Sequence, residues 1–258
     1  MGTLHRDAGF TIIETMLFLA ISGLLIVTLL TGTGASINIQ RYRDSVQTFK
    51  NYLQNQYADV ASVSNDRDNN WACDTNAFTE VTAGVGEVRG QSKCVIIGKY
   101  VTVVGSKTTE YSVTAFSPTT TATGGDIEKL KTQYVLNVAA SSKEESTLEW
   151  GTSLAWPAQD SKAGSERSVA ILIIRSPDSG LLYTFTSNTV PENPSPDTLK
   201  TLLVTGASTP GQGAQTLCLD STGLFTGENL SVYIAPFATG PSAIENRSND
   251  LEGNTVKC

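Results

Sequence analysis

The sequence predicts an α+β fold in which one long N-terminal helix packs on an antiparallel β-sheet with elaborated loops. Three observations carry that expectation. Phe10 to Leu30 holds a single charge, Glu14, and Ile12 to Leu30 is long enough to span a bilayer. Beyond it, Tyr42, Val46, Phe49, Leu53, Tyr57 and Val60 recur at spacings of three and four, the stripe of an amphipathic helix. Past Val60 the chain turns to short runs rich in β-branched and aromatic residues, bounded by Gly, Pro, Ser or Asp.

The helix comes first. Its apolar half and its striped half form one element from about Thr11 to about Ser62, roughly 75 Å long. Arg41, Arg43, Asp44, Gln47, Lys50, Asn51, Gln54 and Asn55 fill the face opposite the stripe. Thr31-Gly32-Thr33-Gly34 lies between the halves, and each glycine costs a helix about 1 kcal/mol relative to alanine. Gly32 and Gly34 are therefore the expected weak point, where the helix extends without unfolding the globular head.

Ser64 to Asn70 reads as a polar loop. Strands are expected at Cys94–Val104, Glu110–Phe116, Gln133–Ala139, Val169–Arg175, Leu181–Thr186, Thr216–Leu219 and Ser231–Ala235. Val169 to Ile174 is apolar at every position, so that strand should be central and covered on both faces. Asp126–Lys131 and Thr198–Leu203 read as short helices, and Ser117–Gly125 and Pro191–Pro196 as loops.

Composition narrows the function classes. The 258 residues suit one substantial domain plus an appendage. A net charge of -7 and a pI near 4.8 argue against a broad nucleic-acid-binding surface, while leaving room for a small local basic patch. The single histidine, His5, lies before the apolar segment. Without it there is no Ser-His-Asp or Cys-His nucleophile and no histidine metal site. Carboxylate-only hydrolysis survives as chemistry, but the acidic residues are scattered singly. No enzyme activity and no cofactor are expected. Asp66-x-Asp68-x-Asn70 opens like a calcium loop, yet Trp71 stands where such a loop needs Gly and Ala77 where it needs Glu. A solvated loop is the better reading.

A carboxylate within an apolar segment costs several kcal/mol at bilayer depth unless it is neutralised, which makes Glu14 a functional candidate. Cleavage between Gly9 and Phe10 would create an α-amino group that can lie against Glu14 of a stacked copy. Gly9-Phe10-Thr11-Ile12-Ile13-Glu14 followed by an apolar helix resembles the type IV prepilins and the related pseudopilins of secretion systems. The resemblance covers about a fifth of the chain, counting the long helix. It implies a type IV pilin fold, in which a membrane prepilin peptidase cuts after Gly9 and N-methylates Phe10. Glu14 would then set subunit register. The implied organisation is a leader over 1–9, a transmembrane and filament-core helix over 10–36, its amphipathic continuation over 37–62, and a β-rich head over 63–258. The leader carries Asp7 beside Arg6, where family leaders are more basic. Many pilins carry a helix-breaking proline near the position that Gly32 and Gly34 occupy here.

Four cysteines, Cys73, Cys94, Cys218 and Cys258, permit three disulfide pairings. Cys73 with Cys94 and Cys218 with Cys258 is favoured, because the shorter loops hold local elements together. Each bridge should contribute about 3 to 4 kcal/mol. The second would tie down Asn246–Lys257, a tail too polar to order itself, and it resembles the C-terminal disulfide loop of many pilins. A zinc site is the alternative, but no Cys-x-x-Cys spacing supports it.

The resemblance implies a structural subunit of a type IV pilus, major or minor, supporting adhesion, twitching motility or DNA uptake. Its partners would be further copies of itself, other pilins, the prepilin peptidase, the pilus assembly platform and the membrane, with a surface or host-cell ligand for the head. It would sit in the cytoplasmic membrane as a single-pass protein and then move to the extracellular pilus. Two alternatives stay open: a minor pseudopilin of a type II-like secretion system, and a membrane-anchored binding protein that does not polymerise.

Overall fold

The structure, a computed structural model, describes residues 11–62, 71–81, 86–87, 91–117, 124–191, 193–208, 214–221, 224, 228–249 and 256–258. Gly9, Phe10, His5 and the Asp66–Asn70 loop lie outside the described residues. The first element, α1, is a continuous 51-residue helix, Ile12–Ser62. Its predicted stripe is its buried face: Tyr42, Val46, Phe49, Leu53, Tyr57 and Val60 are all in the core. Leu53 is 0 % exposed, whereas Leu24, on the same helix, is 67 % exposed.

Among the described residues the strands form three antiparallel sheets where the sequence suggested one. β1 (Trp71–Cys73) pairs with β2 (Thr79–Val81). The largest sheet contains β3 (Cys94–Val104), β4 (Lys107–Phe116), β5 (Val135–Val138), β6 (Glu144–Thr147), β8 (Ser168–Arg175) and β9 (Leu182–Ser187). Its order is β5-β4-β3-β8-β9, with β6 pairing the other end of β4. The third sheet runs β12-β11-β10-β7, from β7 (Ser153–Ala155), β10 (Gln215–Asp220), β11 (Leu230–Ile234) and β12 (Ile244–Ser248).

Alternation along β8 explains the layering. Val169, Ile171 and Ile173 join the α1 stripe in one core with Leu154, Leu217, Leu219, Val232 and Ile234 of the four-stranded sheet. Ala170, Leu172 and Ile174 point the other way. There they pack with Leu130 of α2 (Asp126–Thr132) and Leu199, Leu202 and Leu203 of α3 (Pro196–Ser208). The strand is apolar from Val169 to Ile174, and both of its faces are covered there. α1 thus lies against one face of the six-stranded sheet and the inner face of the four-stranded one, and the two short helices close the far side.

Several boundaries moved for local reasons. α3 starts at Pro196 instead of near Thr198. Proline is tolerated in a first turn, where its missing N–H has no helical acceptor, and Ser195 Oγ accepts from the Thr198 N–H at 3.3 Å. A register shift between Ile96 and Gly98 makes Ile97 a bulge, buried in the second core. Gly98 is required beside it, since a Cβ there would run into the Ile173 carbonyl oxygen of β8. The tail expected to be unable to order itself begins inside a strand: Asn246, Arg247 and Ser248 pair with Val232, Ser231 and Leu230. Those backbone bonds do not depend on side-chain polarity.

Candidate assembly site

At the start of α1 the chain closes a capping box. Thr11 Oγ1 accepts from the Glu14 N–H at 3.3 Å, and the Glu14 carboxylate accepts from the Thr11 N–H at 2.9 Å and the Thr11 hydroxyl at 3.1 Å. The Thr-x-x-Glu spacing was legible in the sequence, but the sequence reading assigned Glu14 to a neighbour and missed Thr11. The carboxylate already satisfies two donors of its own chain. It is exposed.

From Ile12 to Ile37 the large apolar side chains of α1 are exposed. Its hydroxyls turn inward along the helix: Thr15, Thr28, Thr31 and Thr33 donate to backbone carbonyls three or four residues earlier, at 2.8 to 3.1 Å. Their donors need no solvent, so this surface suits an apolar medium. By length and composition α1 can cross a membrane. The helix is unbroken through Gly32 and Gly34, and nothing packs where their side chains would be.

The head begins abruptly at Tyr42. Its buried hydroxyl donates to the Leu219 carbonyl at 2.7 Å and accepts from the Leu230 N–H at 2.9 Å, joining the ends of β10 and β11. Burial pushes that phenol up from its ordinary value, and the Leu230 contact opposes the shift. Arg43 pairs with Glu228, and Ser45 shares a 2.6 Å hydrogen bond with Thr152. Trp150, at φ 56°, donates its indole N–H to Asp44 at 3.1 Å, and its ring lies 4.8 Å from the Arg41 guanidinium. A bulky residue rarely adopts positive φ. Arg41, Arg43 and Asp44, which the sequence placed on the face opposite the stripe, thus each make a contact that fastens the helix at its point of entry. Deeper in, Gln56 donates to Glu110 at 2.7 Å and Tyr57 bonds Thr184 at 2.9 Å, where burial pushes the tyrosine up to about 12.

Two disulfides brace the head. Cys73–Cys94 joins β1 to the start of β3 with Cα atoms 6.0 Å apart, and Cys218–Cys258 joins β10 to the C-terminus with Cα atoms 5.4 Å apart. Beside the second, Lys257 O accepts from the Ala158 N–H at 2.8 Å and Asn249 Oδ1 accepts from the Cys258 N–H at 2.8 Å. Trp71 is buried, whereas Trp156 lines a cavity near the end of the four-stranded sheet. Among the described residues no cluster of His, Cys, Asp or Glu is placed to hold a metal ion. No family model, no curated protein and no solved structure matches this chain.

Proposed function

We propose that this chain is a filament subunit of the type IV pilus class, anchored in a membrane by the first half of α1 and drawn from it into a helical bundle. The observation that carries the reading is the contrast along α1. One face of its second half is buried in the head, while its first half presents apolar side chains over some 26 residues with nothing among the described residues to cover them. Such a surface calls for a lipid or protein partner. Within a bundle of such helices Glu14 is the one charge of the apolar segment, and an amine at Phe10 of a neighbouring copy would neutralise it. The prepilin peptidase, the assembly platform and other pilins are the partners this reading requires.

A second reading draws on the capping box. A plain membrane anchor would use Glu14 only to satisfy the first turn of its own helix, and no neighbour would be required. Glu14→Gln separates the two, because glutamine keeps the accepting oxygen of a capping box and loses the charge. In cells making the full-length chain, the filament reading expects Glu14→Gln to abolish recovery of the protein in sheared surface filaments. Mass spectrometry of the native protein should show an N-terminus at Phe10, methylated. Undiminished filaments from Glu14→Gln, or native protein still carrying Met1–Gly9, would overturn the proposal.

A further inference from the structure

Where the two larger sheets meet, a cavity of about 360 Å³ opens at the end of the four-stranded sheet, lined by Trp156, Asp160, Arg167, Asn188, Gln215 and Arg247 among others. Arg167, just before β8, is 4 % exposed. Its guanidinium donates to Asn188 Oδ1 at 2.8 Å, Gln215 Oε1 at 3.0 Å and the Thr216 carbonyl at 2.8 Å. Every one of these acceptors is neutral. Burial pulls this guanidinium down from its ordinary value, with Asp160 acting in the opposite direction, but arginine remains charged at neutral pH.

The bonds of Arg167 tie the sheets together, and that alone would explain its burial. It does not explain what faces it. Arg247 of β12 lies 3.3 Å from the Tyr233 ring centroid and reaches Glu245 at 3.4 Å. Its Nε is buried with no hydrogen-bond partner among the described residues. Asn188 and Gln215 have turned their oxygens onto Arg167, which leaves their amide N–H groups as donors. Asp160 spends Oδ1 on its own turn, accepting from the Lys162 N–H at 2.9 Å. The cavity is therefore lined by two guanidinium groups and one carboxylate, with amide donors beside them, within an acidic chain of net charge -7.

The geometry points to a binding site for an acidic sugar residue, its carboxylate held by Arg247 and Arg167 and its hydroxyls by Asn188, Gln215 and the second carboxylate oxygen of Asp160. An inorganic anion would leave most of the cavity empty, whereas a ring-sized ligand suits a pocket of a few hundred Å³. The site belongs to the head and is independent of any assembly through α1.

The test uses the full chain in detergent micelles, titrated calorimetrically at constant ionic strength with glucuronate, galacturonate, glucose and sulfate. A uronate should bind saturably, and glucose and sulfate at least about tenfold more weakly, the value of one charge-assisted hydrogen bond. Arg247→Gln and Arg167→Lys should each weaken uronate binding by about tenfold or more. Arg247→Gln removes no bond between the sheets, so it decides the matter alone if Arg167→Lys does not fold. Absence of uronate binding, sulfate binding as tight as the uronate, or undiminished binding by Arg247→Gln would each overturn the proposal.

Discussion

Leu24 and Leu53 occupy one helix yet live in different media, and truncating each to alanine measures the difference. Leu53 is 0 % exposed and packed in the core shared by α1, the four-stranded sheet and one face of the six-stranded sheet. Removing three carbons there forfeits their transfer energy and leaves a hole, together about 2 to 5 kcal/mol. For a head of this size each kcal/mol moves the melting temperature by about 2 to 4 °C, giving a drop of roughly 4 to 20 °C. Leu24 is 67 % exposed and belongs to neither core among the described residues, so Leu24→Ala should change head stability by no more than about 0.5 kcal/mol. The assay is thermal unfolding of the full chain in detergent micelles, followed by near-ultraviolet circular dichroism, which reports buried tyrosines such as Tyr42, Tyr57 and Tyr100. If both variants melted together, or Leu53→Ala stayed within about 2 °C of the parent, the division of α1 into a free half and a packed half would be wrong.

Two further outcomes are set by contacts within the head. Tyr42→Phe leaves the Leu219 carbonyl and Leu230 N–H without their hydroxyl partner. It should cost about 1 to 3 kcal/mol and speed hydrogen exchange at Leu230, and an unchanged Leu230 exchange rate would contradict the anchoring role. Glu145 is held at about 2 by Lys143 and Lys107, at 2.6 and 2.9 Å. Its folded value lies below the ordinary 4.5, so its contribution to stability is present above that value and is lost as pH falls toward 2. Carboxyl NMR should find the Glu145 midpoint near 2, and Lys143→Ala should raise it.

Much of the fold was legible because its signals are local. The six-residue stripe of α1 is a periodicity, and all six positions are buried. β3 begins and ends where its β-branched run does, at Cys94 and Val104. β8 was recognisable as doubly covered from its unbroken apolar run. Five strands left no such mark: β1, β2, β6, β7 and β12 have three to five residues each. Glu144–Thr147 is exposed and polar throughout, and it is a strand only because one end of β4 offers it backbone partners. The candidate assembly site was half visible. Glu14 stood out by charge, whereas its partner Thr11 was missed and Trp150 gave no hint that it would lie on Asp44, 106 positions earlier.

Taken alone, the amino-acid order determined that there is one long helix, where it turns from wholly apolar to one-sided, and where the longer strands run. Those properties arise from the repeat of side chains along a single segment, which needs no neighbour to be read. Only the tertiary structure decided the order of strands in three sheets, the fastening of Tyr42 to β10 and β11, and the meeting of Arg167 with Arg247 around one cavity. Such features depend on which distant segments come together, and that is set by packing the whole chain at once, since burial and hydrogen-bond satisfaction are shared among residues far apart in sequence.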